Sequence, residues 1–274
     1  MPKFICQACG TQHDESPEPP AACAICTDDR QYVRWVGQSW TTHEELMQTH
    51  RARIERDGDF VGIGVAPGFG IPQRALFVPT PQGNTLWDCT SLVTPDAVEQ
   101  LRGMGGVQQI AISHPHFYSS MVEWSDALGG VPIYLHEADR QWVRRRSPHI
   151  EFWSGARLAL SETVTLYHCP GHFPGSTVLH WADAPGGRSV LLCGDSLHVA
   201  QDRRHVAFVH SVPNHLPMHP DSVAGIRERL EGLAFDDAYG FTWGLNIIGG
   251  ARQKVDASFD RYMRAVGRNG ADAT

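Results

Sequence analysis

The run Ile110-Ala-Ile-Ser-His114-Pro-His116-Phe-Tyr-Ser119 carries an apolar strand directly into two imidazoles separated by one proline. In an extended segment residues two apart face the same way, so His114 and His116 are placed to bind one ion, and Pro115 lowers the entropy lost in holding them there. Two further candidates lie downstream. His172 sits in the loop Pro170-Gly-His-Phe-Pro-Gly-Ser176 between predicted strands, where the glycines allow close backbone approach, and Asp195 closes the apolar run Val190-Leu-Leu-Cys-Gly-Asp195. All four follow strand ends, the position at which open sheets assemble ligand sites.

Around these points short β-rich runs alternate with amphipathic stretches. Ala75–Val78 and Thr85–Asp88 read as paired strands about the turn Pro81-Gln-Gly-Asn84, followed by a helix over Pro95–Arg102 and a buried strand over Val107–Ser113. A helix over Ser119–Leu128, a strand at Ile133–Leu135 and a helix over Glu137–Arg144 come next. Strands are expected near Val164–Tyr167, Val178–Trp181, Val190–Cys193 and Ala238–Tyr239, with helices over Asp221–Leu230 and Val255–Val266. Early strands joined by hairpins and later ones by helices predict a mixed α/β arrangement in two sequential halves.

His-x-His after a strand, Pro-Gly-His-x-Pro-Gly-Ser in the middle and Gly-Asp-Ser after a later strand resemble, in order and spacing, the metallo-β-lactamase superfamily over roughly Phe60 to the end. The resemblance implies an αββα sandwich of two mixed sheets with a metal site along one edge. It assigns His114, His116 and His172 as three imidazole ligands and Asp195 as the carboxylate that usually bridges two metals. The family's usual run is His-x-His-x-Asp-His, and here Tyr118 and Ser119 hold its last two positions. Trp243-Gly-Leu-Asn246 occupies the region of the family's final histidine, and no His follows His219. A second ion would lose most of its ligands, so one metal is expected at this site.

Three imidazoles and an open position make a catalytic site, because zinc so held lowers the pKa of its water to about 7 and polarises a carbonyl or phosphoryl oxygen. The expected activity is a mononuclear metal-dependent hydrolase of a small ester, lactone, thioester or amide. Asp195 is the base or a fourth ligand. Tyr118 as a neutral phenol is no base but can donate a hydrogen bond to a developing oxyanion. Arg203, Arg204 and Ser119 are candidate substrate contacts; the run Asp202-Arg-Arg204 also reads as a surface turn. The run Arg144-Arg-Arg146 reads as a solvated helix end.

Four of the seven cysteines fall near the start, as Cys6-x-x-Cys9-Gly and Cys23-x-x-Cys26 about a proline-containing spacer. Two such knuckles offer a closed tetrahedral set of sulfurs that suits structural zinc, with iron as the alternative here and at the histidine site. No proline follows Cys23 before Cys26, unlike a rubredoxin knuckle, which favours zinc. Too few apolar residues accompany these thiols to build a core, so folding there depends on the metal. The organisation read from sequence is a zinc-ribbon-like or rubredoxin-like module over 1–34, a connector with a helix capped by Thr41 or Thr42 over 35–59, and the main domain over 60–274. Cys89, Cys169 and Cys193 read as inert core thiols.

The chain has 274 residues, 42% hydrophobic and 19% charged, which excludes bulk disorder, and its net charge of −7 argues against nucleic acid or anionic lipid as the partner. The start MPKFICQACG lacks the basic and apolar segments of a secretory signal. A cytoplasmic protein acting on a small molecule is expected, with no membrane partner, and aromatics in the connector are compatible with a homodimer. Two other functions fit the same residues: an iron-dependent oxidoreductase fed by an iron in the four-cysteine module, and a non-catalytic metal-binding protein.

Overall fold

A computed structural model describes residues 1–267; the last seven residues of the main domain read from sequence lie outside them. The chain divides into two compact units, Met1–Trp153 and the segment from Ser154 onward.

The first unit begins with β1 (Lys3–Cys6), β2 (Gln12–Glu15) and β3 (Trp40–Thr41), which form a three-stranded antiparallel sheet in the order β2-β1-β3. Trp40 and Thr41, in the stretch read as connector, pair with Cys6 and Ile5 of β1. Helix α1 (His43–Thr49) follows, started by Thr42: its hydroxyl accepts from the Glu45 amide while the Glu45 carboxylate accepts from the Thr42 amide. Ile5 from β1, Leu46 from α1 and Leu92 share one small core, with Val65 and Phe69 packed against it.

A seven-stranded sheet comes next, built from β4 (Arg51–Asp57), β5 (Phe60–Ala66), β6 (Ala75–Val78), β7 (Thr85–Trp87), β8 (Gln109–Ala111), β9 (Ile133–His136) and β10 (Ile150–Trp153) in the order β10-β9-β8-β7-β6-β5-β4. Hairpins make β4 to β7 antiparallel, whereas β7 to β10 run parallel. Parallel pairing needs crossovers. The first is α2 (Pro95–Gly103), capped by the Thr94 hydroxyl on the Ala97 amide and burying Ala97, Val98 and Leu101. The second is α3 (Met121–Ala127), which buries Met121, Val122 and Trp124. Strand β4 falls within the stretch read as connector. Its Ala52 and Ile54 alternate with charged residues, the pattern of an edge strand with one wet face. Glu137–Trp142 folds as a short 3-10 turn rather than the predicted α-helix.

The second unit holds a six-stranded sheet formed by β11 (Arg157–Ala159), β12 (Val164–His168), β13 (Thr177–Ala184) and β14 (Arg188–Leu192), all antiparallel neighbours, followed by two strands from late in the chain. Between them come two small hairpins, β15 (His198–Val199) with β16 (Val206–Ala207) and β17 (Val209–Ser211) with β18 (Leu216–Pro217), then α4 (Pro220–Arg229). The sheet closes with β19 (Asp237–Tyr239), parallel to β14, and β20 (Asn246–Ile247), before α5 (Ala251–Ala265). Val223 and Ile226 of α4 and Val255 and Phe259 of α5 share one core with Val178, Leu191 and Ala238 of the sheet. Phe259 also stacks on Phe208 with centroids 4.7 Å apart. Cys89, Cys169 and Cys193 are buried and form no disulfide, and burial pushes the Cys169 thiol up to about 12, in keeping with inert core positions. No described helix is long and apolar enough to cross a membrane.

Candidate metal centres

Strand β8 ends at Ala111, and its extension delivers His114 in extended backbone before Pro115–Phe117 turns as a 3-10 helix. The two imidazoles are thus set by a turn rather than by the strand alternation expected from sequence. Their rings meet edge to face with centroids 5.1 Å apart. Ser113 Oγ lies 2.8 Å from His114 Nδ1, and the Ser113 amide donates to Asp88 Oδ1 at 2.7 Å. Asp88 itself adopts a left-handed conformation, φ 66°, and its own amide donates to the Ala111 carbonyl. This chain of contacts holds the imidazole from behind, which leaves Nε2 as the donor atom. Gln73 Nε2 donates to the His116 carbonyl at 2.9 Å and reaches Ser119 Oγ at 3.4 Å.

In the second unit β12 runs through His168 into the loop that carries His172. Gly171 there has φ 155°, and a Cβ on it would sit 2.4 Å from Met218 Sδ, so any other residue would be strained and would push that methionine aside. His172 Nδ1 lies 3.1 Å from the Val209 carbonyl, a contact that requires the proton on Nδ1 and leaves a lone pair on Nε2. That lone pair is 3.4 Å from Asp195 Oδ2, past the end of β14. Two acceptors at this distance repel unless a proton or cation lies between them. Ligands about 2.1 Å from a tetrahedral ion stand about 3.4 Å apart, so the pair has the spacing of two ligands on one ion.

One ligand atom from each of His114, His116, His172 and Asp195 lies within 4.8 Å of all the others, and the four residues are at most 6% exposed. Three imidazoles and one carboxylate are a donor set for zinc or another borderline divalent ion. In Cys6, Cys9, Cys23 and Cys26 the structure holds a second group of four. Cys6 and Cys26 are 3.5 Å apart and Cys9 and Cys23 3.6 Å, against about 3.8 Å for sulfurs on a tetrahedral zinc. Hydrogen bonds from Cys26, Cys6 and Cys9 hold the Cys23 thiol far below the ordinary range, while Cys9 and Cys26 are pushed up by their bonds to Cys23. So close a cluster does not keep four protons easily, and a cation that replaces them fits it. Gln38, which the sequence did not single out, donates to Cys6 Sγ at 3.1 Å and accepts from the Cys23 amide at 3.2 Å.

The remaining candidates have different surroundings. Tyr118 is buried, and desolvation followed by the nearby Asp139 charge pushes its phenol well above the ordinary range, so it stays neutral. Ser119 is buried in a left-handed conformation, φ 36°, and its carbonyl accepts from the Gln12 amide. Arg203 and Arg204 lie in the exposed turn between β15 and β16, where Asp202 Oδ1 accepts from the Arg204 and His205 amides. The run at 144–146 is not simply solvated: Arg145 is bonded to Glu123 at 2.9 Å, and Arg146 to Asp14 at 3.1 Å. Trp35 and Val36 are fully or almost fully exposed.

Over 269 residues, covering 97% of each chain, the sequence is 38% identical to the uncharacterized protein YmaE of Bacillus subtilis (strain 168). The chain belongs to the YmaE family. No protein-family model matches the chain. Among solved structures, a B3 metallo-β-lactamase with an active-site glutamic acid superposes with a TM-score of 0.53 at 15% identity, covering 78% of this chain and 90% of that one. The MIM-1 enzyme from Novosphingobium pentaromativorans gives 0.52 at 18% identity, covering 81% and 92%. The SMB-1 enzyme bound to 2-mercaptoethanesulfonate gives 0.51 at 18%, covering 76% and 93%. This YmaE-family chain therefore has the metallo-β-lactamase fold, as the His-x-His and Gly-Asp-Ser motifs led one to expect, and adds to it an N-terminal four-cysteine group.

Ser113→Ala tests whether the contacts behind His114 matter. It is expected to weaken metal binding at the histidine centre about tenfold, read by competition with a chromophoric chelator; unchanged affinity would remove Ser113 from the account.

Proposed function

We propose that this protein is a mononuclear metal-dependent hydrolase of a small ester, lactone, thioester or amide, and that zinc fills both centres. The observation that carries the reading is the His172 Nε2 to Asp195 Oδ2 spacing of 3.4 Å, with the imidazole proton fixed on the opposite nitrogen. It supports Asp195 as a fourth ligand beside His114, His116 and His172 rather than as a detached base, and an ion so held would have to take water or substrate as a fifth ligand for hydrolysis. A zinc ion in such a site supplies Lewis-acid activation of a carbonyl and acidifies water.

The chain's own groups do the rest. His114 and His172 are oriented through their Nδ1 atoms by Ser113 Oγ and the Val209 carbonyl. Asp195 would hold the metal beside His172, and its free carboxylate oxygen would take the proton released as water adds to the acyl carbon. The bond to the leaving oxygen, sulfur or nitrogen then breaks, and that atom takes the proton. Tyr118, with its phenol neutral, contributes as a hydrogen-bond donor and not as a base. Tyr118 and Ser119 stand at two positions where the di-metal family pattern has ligands, and Trp243-Gly-Leu-Asn246 occupies the region of its final histidine, which supports one ion at this centre rather than two.

The test is turnover across a panel of esters, lactones, thioesters and amides before and after metal removal. Hydrolysis that disappears on chelation and returns with one equivalent of zinc at the histidine centre is the expected result. Full activity in metal-free protein would overturn the reading. Visible colour from a ferric centre on the four cysteines in freshly purified protein would instead favour the iron-dependent oxidoreductase.

A further inference from the structure

The four-cysteine module is joined to the segment that carries His114 and His116 by three separate sets of contacts. Gln12, which opens β2 immediately after the Cys9-Gly10-Thr11 turn, donates its amide to the Ser119 carbonyl at 2.9 Å, three residues past His116. Gly10 has φ +83°, and a Cβ there would sit 2.1 Å from Ser91 Oγ, so the knuckle presses on the loop whose Ser91 carbonyl accepts from Ser120 Oγ at 2.8 Å. Gly70 approaches the same turn: a Cβ on it would lie 2.9 Å from the Gly10 amide nitrogen and 3.0 Å from the Cys9 carbonyl carbon. Gly70 leads within three residues to Gln73, whose side chain holds the His116 carbonyl.

The knuckle backbone is in turn set by the thiols. Gly10 donates to the Cys6 carbonyl at 2.8 Å and Cys6 to the Thr11 carbonyl at 3.0 Å, a turn tight enough to direct both sulfurs inward. On the other side Asp14 donates its amide to the Arg144 carbonyl, and the Arg146 guanidinium returns to the Asp14 carboxylate. Among the described residues, Ile25 is the one buried apolar side chain beside the four cysteines in the core of the knuckles, with Ala8, Trp40, Ile71 and Trp142 half-buried around it. Without a cation the four crowded sulfurs have little to draw them together, and the turn at Cys9–Thr11 loses what fixes it.

From this geometry we infer that the metal held by Cys6, Cys9, Cys23 and Cys26 positions His114 and His116, so that the affinity of the histidine centre depends on occupancy of the cysteine centre. The inference rests on the proposed metal reading of both centres. The coupling runs through Gln12 to Ser119, through Gly10 and Ser91 to Ser120, and through Gly70 and Gln73 to His116. Since Ser119 has the left-handed backbone that reverses the chain after His116, loss of its bond to Gln12 frees the turn that sets the imidazole. Coupling between sites is reciprocal in binding free energy, so filling the histidine centre also tightens the cysteine centre.

The experiment is cobalt(II) titration of the full chain, with thiolate-to-cobalt charge-transfer absorption reporting the cysteine centre and ligand-field bands of a nitrogen and oxygen site reporting the histidine centre. Cys26→Ser is expected to abolish the first signal and weaken the second centre about 10- to 100-fold. Gly10→Ala keeps all four thiols but drives a methyl group into Ser91, so it is expected to retain the charge-transfer band and still weaken cobalt at the histidine centre. It also serves if Cys26→Ser does not fold. Wild-type affinity at the histidine centre in a folded Cys26→Ser protein, or in Gly10→Ala, would overturn the coupling. Failure of the underlying metal reading looks different: wild-type protein would then show no nitrogen and oxygen cobalt site at all, or His116→Ala would leave that signal unchanged.

Discussion

Replacing His116 by alanine is expected to remove one of two metal equivalents and to reduce kcat/KM by more than about 100-fold, the loss that mutations merely behind a ligand can reach. The substitution deletes one of three imidazoles from a buried group of four ligands, and the two left on the first ion with Asp195 no longer close its coordination. His116 belongs to a one-turn 3-10 segment whose carbonyl is held by Gln73, so the backbone has a reason to stay in place when the ring goes. The cysteine centre keeps its own ligands, and elemental analysis should therefore fall from two equivalents toward one. Retention of both equivalents, or of wild-type turnover, would contradict the assignment of His116.

A second large effect is expected on stability rather than on metal binding. Arg74 and Asp57 form an ion pair with both side chains buried, the guanidinium just before β6 and the carboxylate at the end of β4. A buried pair adds little against a well-packed apolar replacement, but removing one partner leaves a charge in a poor dielectric. Asp57→Ala is expected to cost about 3–5 kcal/mol of stability, measured as a shift of the denaturation midpoint. A loss below about 1 kcal/mol, the range of surface pairs, would mean that water reaches the guanidinium. The position also explains how an edge strand rich in arginine and glutamate stays attached to the sheet: its last residue is anchored by charge as well as by the β4–β5 ladder.

What could be read directly from the chain was the set of short-range patterns. His114-Pro-His116, Pro-Gly-His172 and Gly-Asp195 each follow an apolar strand, and all three lie in the structure past the strand ends where the sequence put them. The two Cys-x-x-Cys pairs are equally local, and their sulfurs do come together. Contacts that depend on folding were not legible. Asp88 reaches Ser113 across 25 residues, and Gln38 reaches Cys6 across 32, with no motif linking them. The arginine run at 144–146 looks like a solvated helix end because its partners, Gln12, Asp14 and Glu123, lie far away in sequence. Strand β4 was missed for a different reason. Five charged residues among seven suggest a linker, yet the period-two placement of Ala52 and Ile54 was the signal of a half-covered strand.

The same distinction separates what the fold supplies from what this chain adds. A strand end, a 3-10 turn and two later loops bring three imidazoles and a carboxylate within reach of one ion. A fold of this kind does not by itself decide which substrate would be taken.

The most direct measurement is X-ray absorption at the metal edge on the purified, metal-replete chain, combined with elemental analysis. The account predicts two metal ions per chain, one in an all-sulfur shell near 2.3 Å and one in a nitrogen and oxygen shell near 2.1 Å, with Ser113→Ala altering only the second. A single ion with sulfur neighbours alone, under conditions of excess zinc, would contradict it.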